Sequence, residues 1–258
     1  MSKIDYIEIH EFAYEVENLG PEANGGHAIF NICYKPGHKL SVSKYAVVIN
    51  TDDGCRGEYV THWVGTKSAL AQSMMLAPYL LGRDPEERER IFDVFKQEIR
   101  QYDHMGHGPL DIALWDLMGK RCGEPVYQLL GGKVRDPIPA YASHLHYLDD
   151  DRFCAEAEDY VNQGYRAMKM RFQHGPADGL AGMNKDIDSI RVVHDDLKAK
   201  YPDATFILGG PMTWSMDQED KLDTLLYFDH VFILDGEETL PDFLERFGQG
   251  THGELSQI

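Results

Sequence analysis

The chain has 258 residues, 43% hydrophobic and 26% charged, a globular composition that argues against wholesale disorder and allows one large domain or two modest ones. Its 43 acidic and 25 basic residues give a formal charge of −18, which repels phosphate backbones and argues against nucleic acid as a partner. A small anion remains open to a site that gathers its own cations or a metal. The N-terminus lacks a basic-then-apolar leader, the longest near-apolar run (residues 74–81) is too short to cross a bilayer, and Cys33, Cys55, Cys122 and Cys154 form no CxxC pair, so we expect a cytoplasmic protein with reduced thiols and no membrane partner.

Residues 4–16 alternate loosely and read as a strand. Residues 19–37 carry Pro21, Gly25, Gly26, Pro36 and Gly37 and read as a loop around an apolar patch at 28–33. Two β-prone runs, 44–51 and 55–60, flank Asp52-Asp53-Gly54 and predict a hairpin, giving three antiparallel strands. Residues 66–81 have apolar positions at helical spacing. Asp84, followed by Pro85, Glu86 and Glu87, predicts the N-cap of a second helix reaching about residue 102. A third helix over 109–122 stops at Gly123, and a helical turn over 125–130 is closed by Gly131-Gly132. Residues 1–132 therefore read as an α+β domain.

From Ile138 the rhythm changes to alternation: strand 138–143, helix 151–163, strand 167–172, helix 185–200, strand 205–208, helix 217–227, strand 231–234 and a short helix over 241–247. Such alternation predicts parallel strands with helical crossovers.

Two stretches carry a family resemblance. Asp111-Ile112-Ala113-Leu114-Trp115-Asp116, with Gly119-Lys120, Pro125 and Leu129-Leu130-Gly131-Gly132, closely resembles the end of the capping domain in the mandelate racemase and muconate lactonizing enzyme group of the enolase superfamily. By residue type alone these are structural positions, a helix and a turn, that mark the fold rather than the chemistry. Residues 164–172, containing Lys169-Met170-Arg171, with Gly175-Pro176 and Gly182-Met183, resemble the second barrel strand of the acid-sugar (rhamnonate-type) dehydratases. The resemblance implies an α+β capping domain over residues 1–132, followed over 133–258 by an incomplete α/β (TIM-type) barrel of about four β/α units. The fifth to eighth strands are expected to be missing, and with them a third metal ligand and the family's His–Asp dyad.

The implied chemistry is magnesium-assisted removal of a proton beside a carboxylate, followed by loss of water. Two negative charges develop on the enediolate, so a divalent metal and cations stabilise it. Lys169 and Arg171 lie two apart and share one face of a strand. The resemblance makes them the catalytic candidates, binding a carboxylate and its enolate or moving a proton; surface cations on an edge strand are the bland alternative. The family's first metal ligand is expected at Gly209, a residue with no carboxylate, while Met212 and Trp214 fit the pattern beyond it. Glu237 is the first candidate for the second ligand and Asp235 the next, with solvated acids at a helix start equally open. In relatives two capping-domain loops select the substrate, which implies His27, His62 and Trp63 as substrate-binding candidates or else as polar loop residues; His104 and His107 read as shaping a turn, and His252 as a tail residue.

The sequence thus predicts an acid-sugar-dehydratase-like protein for a small carboxylate, with Mg²⁺ weakly held or absent and catalysis impaired. The alternative is a non-catalytic binding or assembly protein on the same scaffold. Open strand edges and an apolar inner face predict a homo-oligomer, an open sheet refolded around its tail, or poor stability.

Overall fold

The computed structural model describes residues 2–21, 32–63, 66–144, 149–171, 174, 178–209 and 226–231. The chain divides into two units, one of Met1–Gly20 with Lys35–Pro139 and one of Pro21–Tyr34 with Ala140–Ile258.

In the first unit β1 (Ile4–Pro21), β2 (Ile32–Thr51) and β3 (Arg56–Val60) form a sheet in that order. β2 and β3 are antiparallel, in register from Ala46↔Val60 to Asn50↔Arg56. The expected Asp52-Asp53-Gly54 hairpin is present, with Gly54 at φ 81°. Its Asp53 carboxylate accepts the Thr51 hydroxyl at 2.5 Å and the Cys55 N–H at 3.3 Å. The Thr51 bond is the main reason its carboxyl is held down to about 2. Along β2, Tyr45, Val47, Ile49 and Thr51 are buried at every second position, as a sheet with one covered face requires.

Helices α1 (Thr66–Leu80), α2 (Arg88–Glu98) and α3 (His107–Cys122) cover that face, and a short α4 (Val126–Leu129) follows. Leu76, Leu80, Ile91, Phe95, Leu110, Leu114 and Leu117 join Val47 and Ile49 in one core. The buried Tyr45 hydroxyl donates to Ser73 Oγ at 2.8 Å, and Ser73 Oγ donates to Gly106 O at 2.9 Å, so both hydroxyls are paired inside this core. α3 lies so close to β3 that a Cβ on Gly57 would fall 2.6 Å from Leu117 Cβ and 2.7 Å from Leu117 N. Beside it, Asp116 Oδ2 accepts the Glu58 N–H at 2.7 Å, and Lys120 Nζ bridges Asp116 at 2.7 Å and Glu58 at 3.0 Å. α3 ends at Gly123, whose left-handed φ of 67° forms the C-cap.

Three expectations are corrected. The stretch 19–37 is not a loop throughout: β1 runs on to Pro21 and β2 begins at Ile32. Asn18 and Gly37 absorb the irregularity with positive φ, 60° and 75°, and Asn18 Oδ1 accepts the Gly37 N–H at 2.9 Å. Pro36 lies outside the stretch of β2 that β3 covers, where a proline is tolerated. Asp84 does not cap the second helix. Its carboxylate accepts the Glu86 N–H at 3.0 Å in a turn of its own, and α2 starts only at Arg88 and ends at Glu98, short of residue 102. The strand expected over 138–143 shrinks to Ala142–Ser143, with Ile138 and Tyr141 exposed.

In the second unit β4 (Ala142–Ser143) pairs in parallel with β5 (Met168–Lys169), and β6 (Ile207–Leu208) in parallel with β7 (His230–Val231). Helix α5 (Asp150–Asn162) starts at Asp149, whose carboxylate accepts the Arg152 N–H at 2.9 Å; α6 (Gly179–Lys200) is longer than the sequence indicated. Phe153 and Cys154 of α5 pack with Val193 and Leu197 of α6, and Ile187 and Ile190 of α6 pack under Leu208 and Val231. Lys200 pairs with Glu158 and Asp196 and ties the two helices. This is a partial α/β fold with parallel pairs, as the alternation predicted. Among the described residues the pairs are two separate two-stranded sheets and no barrel closes. The helices expected over 217–227 and 241–247 lie almost wholly outside the described residues. No described helix is long and apolar enough to cross a membrane.

Candidate functional site

The orientation of Lys169 and Arg171 follows from the residue between them. Met170 packs against Phe153, Cys154 and Val193 in the layer of α5 and α6. Alternation along an extended chain then sends Lys169 and Arg171 to the opposite face, and both are exposed. β4 obeys the same parity. Ala142 and His144 are buried, His144 against Phe153 and Tyr160 of α5 at ring separations of 4.4 and 5.3 Å, whereas the exposed Ser143 stands beside Lys169 in the parallel register. The His144 N–H donates to Lys169 O at 3.1 Å and continues the ladder. Lys169 Nζ makes no bond to a described residue, so its charge is available at this face.

β6 repeats the pattern. Leu208 is buried against α6, whereas Ile207 is 44% exposed and Gly209 is also exposed. Gly209 therefore belongs to the face that points away from the helix. Asp229 is near in sequence to β7, but its Oδ2 accepts the Phe206 N–H at 2.7 Å and faces Lys198 Nζ at 3.3 Å, at the entrance of β6 rather than its exit. Magnesium takes an octahedron of oxygen ligands. Among the described residues no three His, Cys, Asp or Glu side chains converge, and position 209 brings no side-chain oxygen. Asp235 and Glu237 lie outside the described residues, as do His27, Met212 and Trp214.

His62 and Trp63, in the first unit, are brought together after β3. Their rings stack at 5.5 Å with planes 28° apart. The Thr66 hydroxyl at the start of α1 fixes their backbone, lying 3.1 Å from His62 O and 2.8 Å from Trp63 O.

Two histidines that the sequence did not single out hold structured positions. His174, beyond β5, bonds twice to Asp186 on α6: its Nδ1 lies 2.7 Å from Oδ1, and its backbone N–H donates to Oδ2 at 3.2 Å. His144 Nδ1 lies 3.5 Å from Glu156 Oε2, too far for a strong bond. Burial pushes the His144 imidazole below its ordinary pKa, with Glu156 acting the other way. His107, on α3, is not a turn former but the first residue of that helix, with its ring 4.7 Å from Phe92 and 5.6 Å from Phe95. Burial lowers its pKa too, against the attraction of Asp111 one turn on, and Asp111 is itself raised by burial.

An αβ cap whose central helix carries the Asp111–Asp116 motif, joined to parallel β/α elements with cations at a strand exit, defines an enolase-type scaffold. Comparison with known proteins agrees. Residues 38–131 match the N-terminal domain of the mandelate racemase and muconate lactonizing enzyme family, so this part of the chain is similar to that family's N-terminal domain. It is 31% identical over 156 residues to an L-rhamnonate dehydratase of Saccharopolyspora erythraea, covering 58% of this chain and 37% of that enzyme. Its fold superposes on a racemase from Streptomyces coelicolor A3(2) with bound magnesium, with a TM-score of 0.62, 23% identity and coverage of 88% of this chain and 62% of that one. It also superposes on the L-talarate/galactarate dehydratase of Salmonella typhimurium LT2, with a TM-score of 0.61, 18% identity and coverage of 87% and 56%. In each case the chain accounts for less than two thirds of the relative's length.

Proposed function

We propose that this chain binds a small hydroxylated carboxylate of the acid-sugar class through Lys169 and Arg171, on a dehydratase-type scaffold whose magnesium-assisted proton abstraction is impaired. The carrying observation is the parity of β5. Met170 packs toward the helices, so its neighbours Lys169 and Arg171 are directed to the other face, with Lys169 beside Ser143. Two cations at the exit of a parallel strand suit a carboxylate. The similarity to an L-rhamnonate dehydratase supports the substrate class. Gly209 supports the impairment. A glycine offers no carboxylate at the face where the family resemblance expects one, and loss of a charged metal ligand removes much of the stabilisation an enediolate needs. The same observation favours a second reading, a scaffold retained for binding or assembly without turnover.

Calorimetric titration with L-rhamnonate and galactarate, with and without MgCl₂, combined with an assay for the keto-acid product, separates these readings. We expect binding that Lys169→Met weakens at least tenfold, little dependence on magnesium, and little or no product. Fast magnesium-dependent turnover would refute the impairment, and binding unaffected by Lys169→Met would refute the site.

A further inference from the structure

We propose that His174, held by Asp186 over Gly182, is a hydroxyl-binding residue whose Nε2 accepts a hydrogen bond from a ligand at the exit of β5. Three observations carry the assignment. Asp186 is 2% exposed and both its oxygens are committed to His174, one to the ring Nδ1 and one to the backbone N–H. A buried carboxylate only accepts, so Nδ1 carries a proton, and the tautomer this selects is the one in which Nε2 presents a lone pair. Gly182, one turn before Asp186 on α6, is the seat. A Cβ there would lie 2.8 Å from His174 Cβ and 3.1 Å from His174 Cγ, and would also collide with Asp178 Cβ. A side chain at 182 would therefore displace the imidazole. Lastly, Nε2 bonds to no described residue, and His174 lies five positions beyond Lys169, on the connection that leaves the C-terminal end of β5, the end at which α/β proteins gather their ligands.

A buried acid that only fastened a loop would be satisfied by the backbone N–H. Here it also fixes which ring nitrogen is bare, and a bare nitrogen demands a donor from its ligand. With the carboxylate held as proposed above, that selects an acid bearing a hydroxyl over a plain carboxylic acid. The anion half of this statement rests on the carboxylate reading above; the hydroxyl half does not.

The test is side-chain ¹⁵N NMR of histidine-labelled protein at pH 7.5 with three probes: L-rhamnonate, hexanoate, which has the carboxylate and no hydroxyls, and L-rhamnitol, which has the hydroxyls and no charge. We expect the free protein to show His174 protonated at Nδ1 and bare at Nε2. L-Rhamnonate and, more weakly, L-rhamnitol should shift Nε2, and hexanoate should not. Asp186→Asn removes the cause of the tautomer and should weaken L-rhamnonate roughly tenfold, the worth of one hydrogen bond, without changing hexanoate binding. If both acids bind in a Lys169-dependent way while Nε2 stays unmoved, the inference is overturned and the carboxylate reading stands. A response to L-rhamnitol with no acid binding through Lys169 overturns the carboxylate reading and keeps the hydroxyl site. Silence with all three probes overturns both. Should Asp186→Asn not fold, the wild-type tautomer and the three titrations decide the matter, and a proton found on Nε2 in the free protein overturns the inference.

Discussion

Replacing Gly57 by alanine measures how tightly α3 is pressed on the sheet. The added methyl would sit 2.6 Å from Leu117 Cβ and 2.7 Å from Leu117 N, with Ala113 O closer still. Ordinary carbon contacts lie at about 3.5–4.0 Å, so α3 must retreat by roughly 1 Å. The obstacles are helix backbone, which cannot rotate aside as a side chain would. Leu110, Ala113, Leu114 and Leu117 would be drawn from the core along with it. Overpacking of this kind costs about 1–3 kcal/mol. Rigid obstacles put Gly57→Ala near the top of that range, less the few tenths to 1 kcal/mol that alanine regains by restricting the unfolded chain. A loss of about 2–3 kcal/mol is a large share of the roughly 5–15 kcal/mol by which domains are stable. Urea denaturation followed by circular dichroism reads it as a lowered midpoint. Gly108, in α3 itself, is the control, because a Cβ there meets nothing within 4 Å. Gly108→Ala should be neutral or stabilising by up to about 1 kcal/mol. If Gly57→Ala stays within about 0.5 kcal/mol of the parent, or Gly108→Ala is equally damaging, the close approach of α3 to β3 is not what limits this position.

Two further outcomes follow from the same unit and its neighbour. Asp116→Ala strands the Glu58 N–H and leaves Lys120 paired with Glu58 alone; removal of a charge-assisted acceptor should cost about 2 kcal/mol, and Asp116→Asn, which keeps an acceptor, should cost less in the same urea titration. Stability should fall on acidification below pH 6.5, the ordinary histidine value, because His107 and His144 are held below it by burial. The unfolded chain then binds protons that the folded chain refuses, so the folded state loses ground as pH drops through that value and is fully favoured above it. Asp111, raised by burial above 3.8, gives an opposite and lower-lying contribution that favours the fold in the acid range and fades as pH rises past its shifted value. Urea midpoints measured between pH 5 and 8 should therefore rise with pH, and His107→Phe should flatten the part of that slope belonging to the first unit. A midpoint independent of pH across this range would show that these rings reach solvent.

Much of the first unit was legible because its signals are local. The Asp-Asp-Gly hairpin, the helical spacing of 66–80 and the Gly123 stop each act within a few residues. Asp84 misled because an aspartate that closes its own turn and one that caps a helix look alike in sequence, and only the path of the chain at Glu86 separates them. The Pro36-Gly37 pair also misled: a two-stranded ribbon tolerates such residues wherever a third strand does not bear on it, and the extent of β3 is a matter of pairing. At the site, the spacing of Lys169 and Arg171 was readable, but the direction they point was not; burial of Met170 against α5 and α6 supplied it. Nothing local marks His174, since its partner Asp186 lies twelve positions away and acquires meaning only when α6 buries it.

The sequence alone determined the kind of scaffold, since the Asp111–Asp116 motif, the glycine turns and the β/α rhythm are short-range patterns that few other folds would require together, and it determined that position 209 carries no carboxylate. Tertiary structure alone decided which face each side chain occupies and which polar atoms are paired. It made Asp116 an acceptor for β3, turned Lys169 away from the helices, and locked the His174 ring to a buried acid. Facing and pairing depend on what another segment brings alongside, and that contact exists only once the chain has packed.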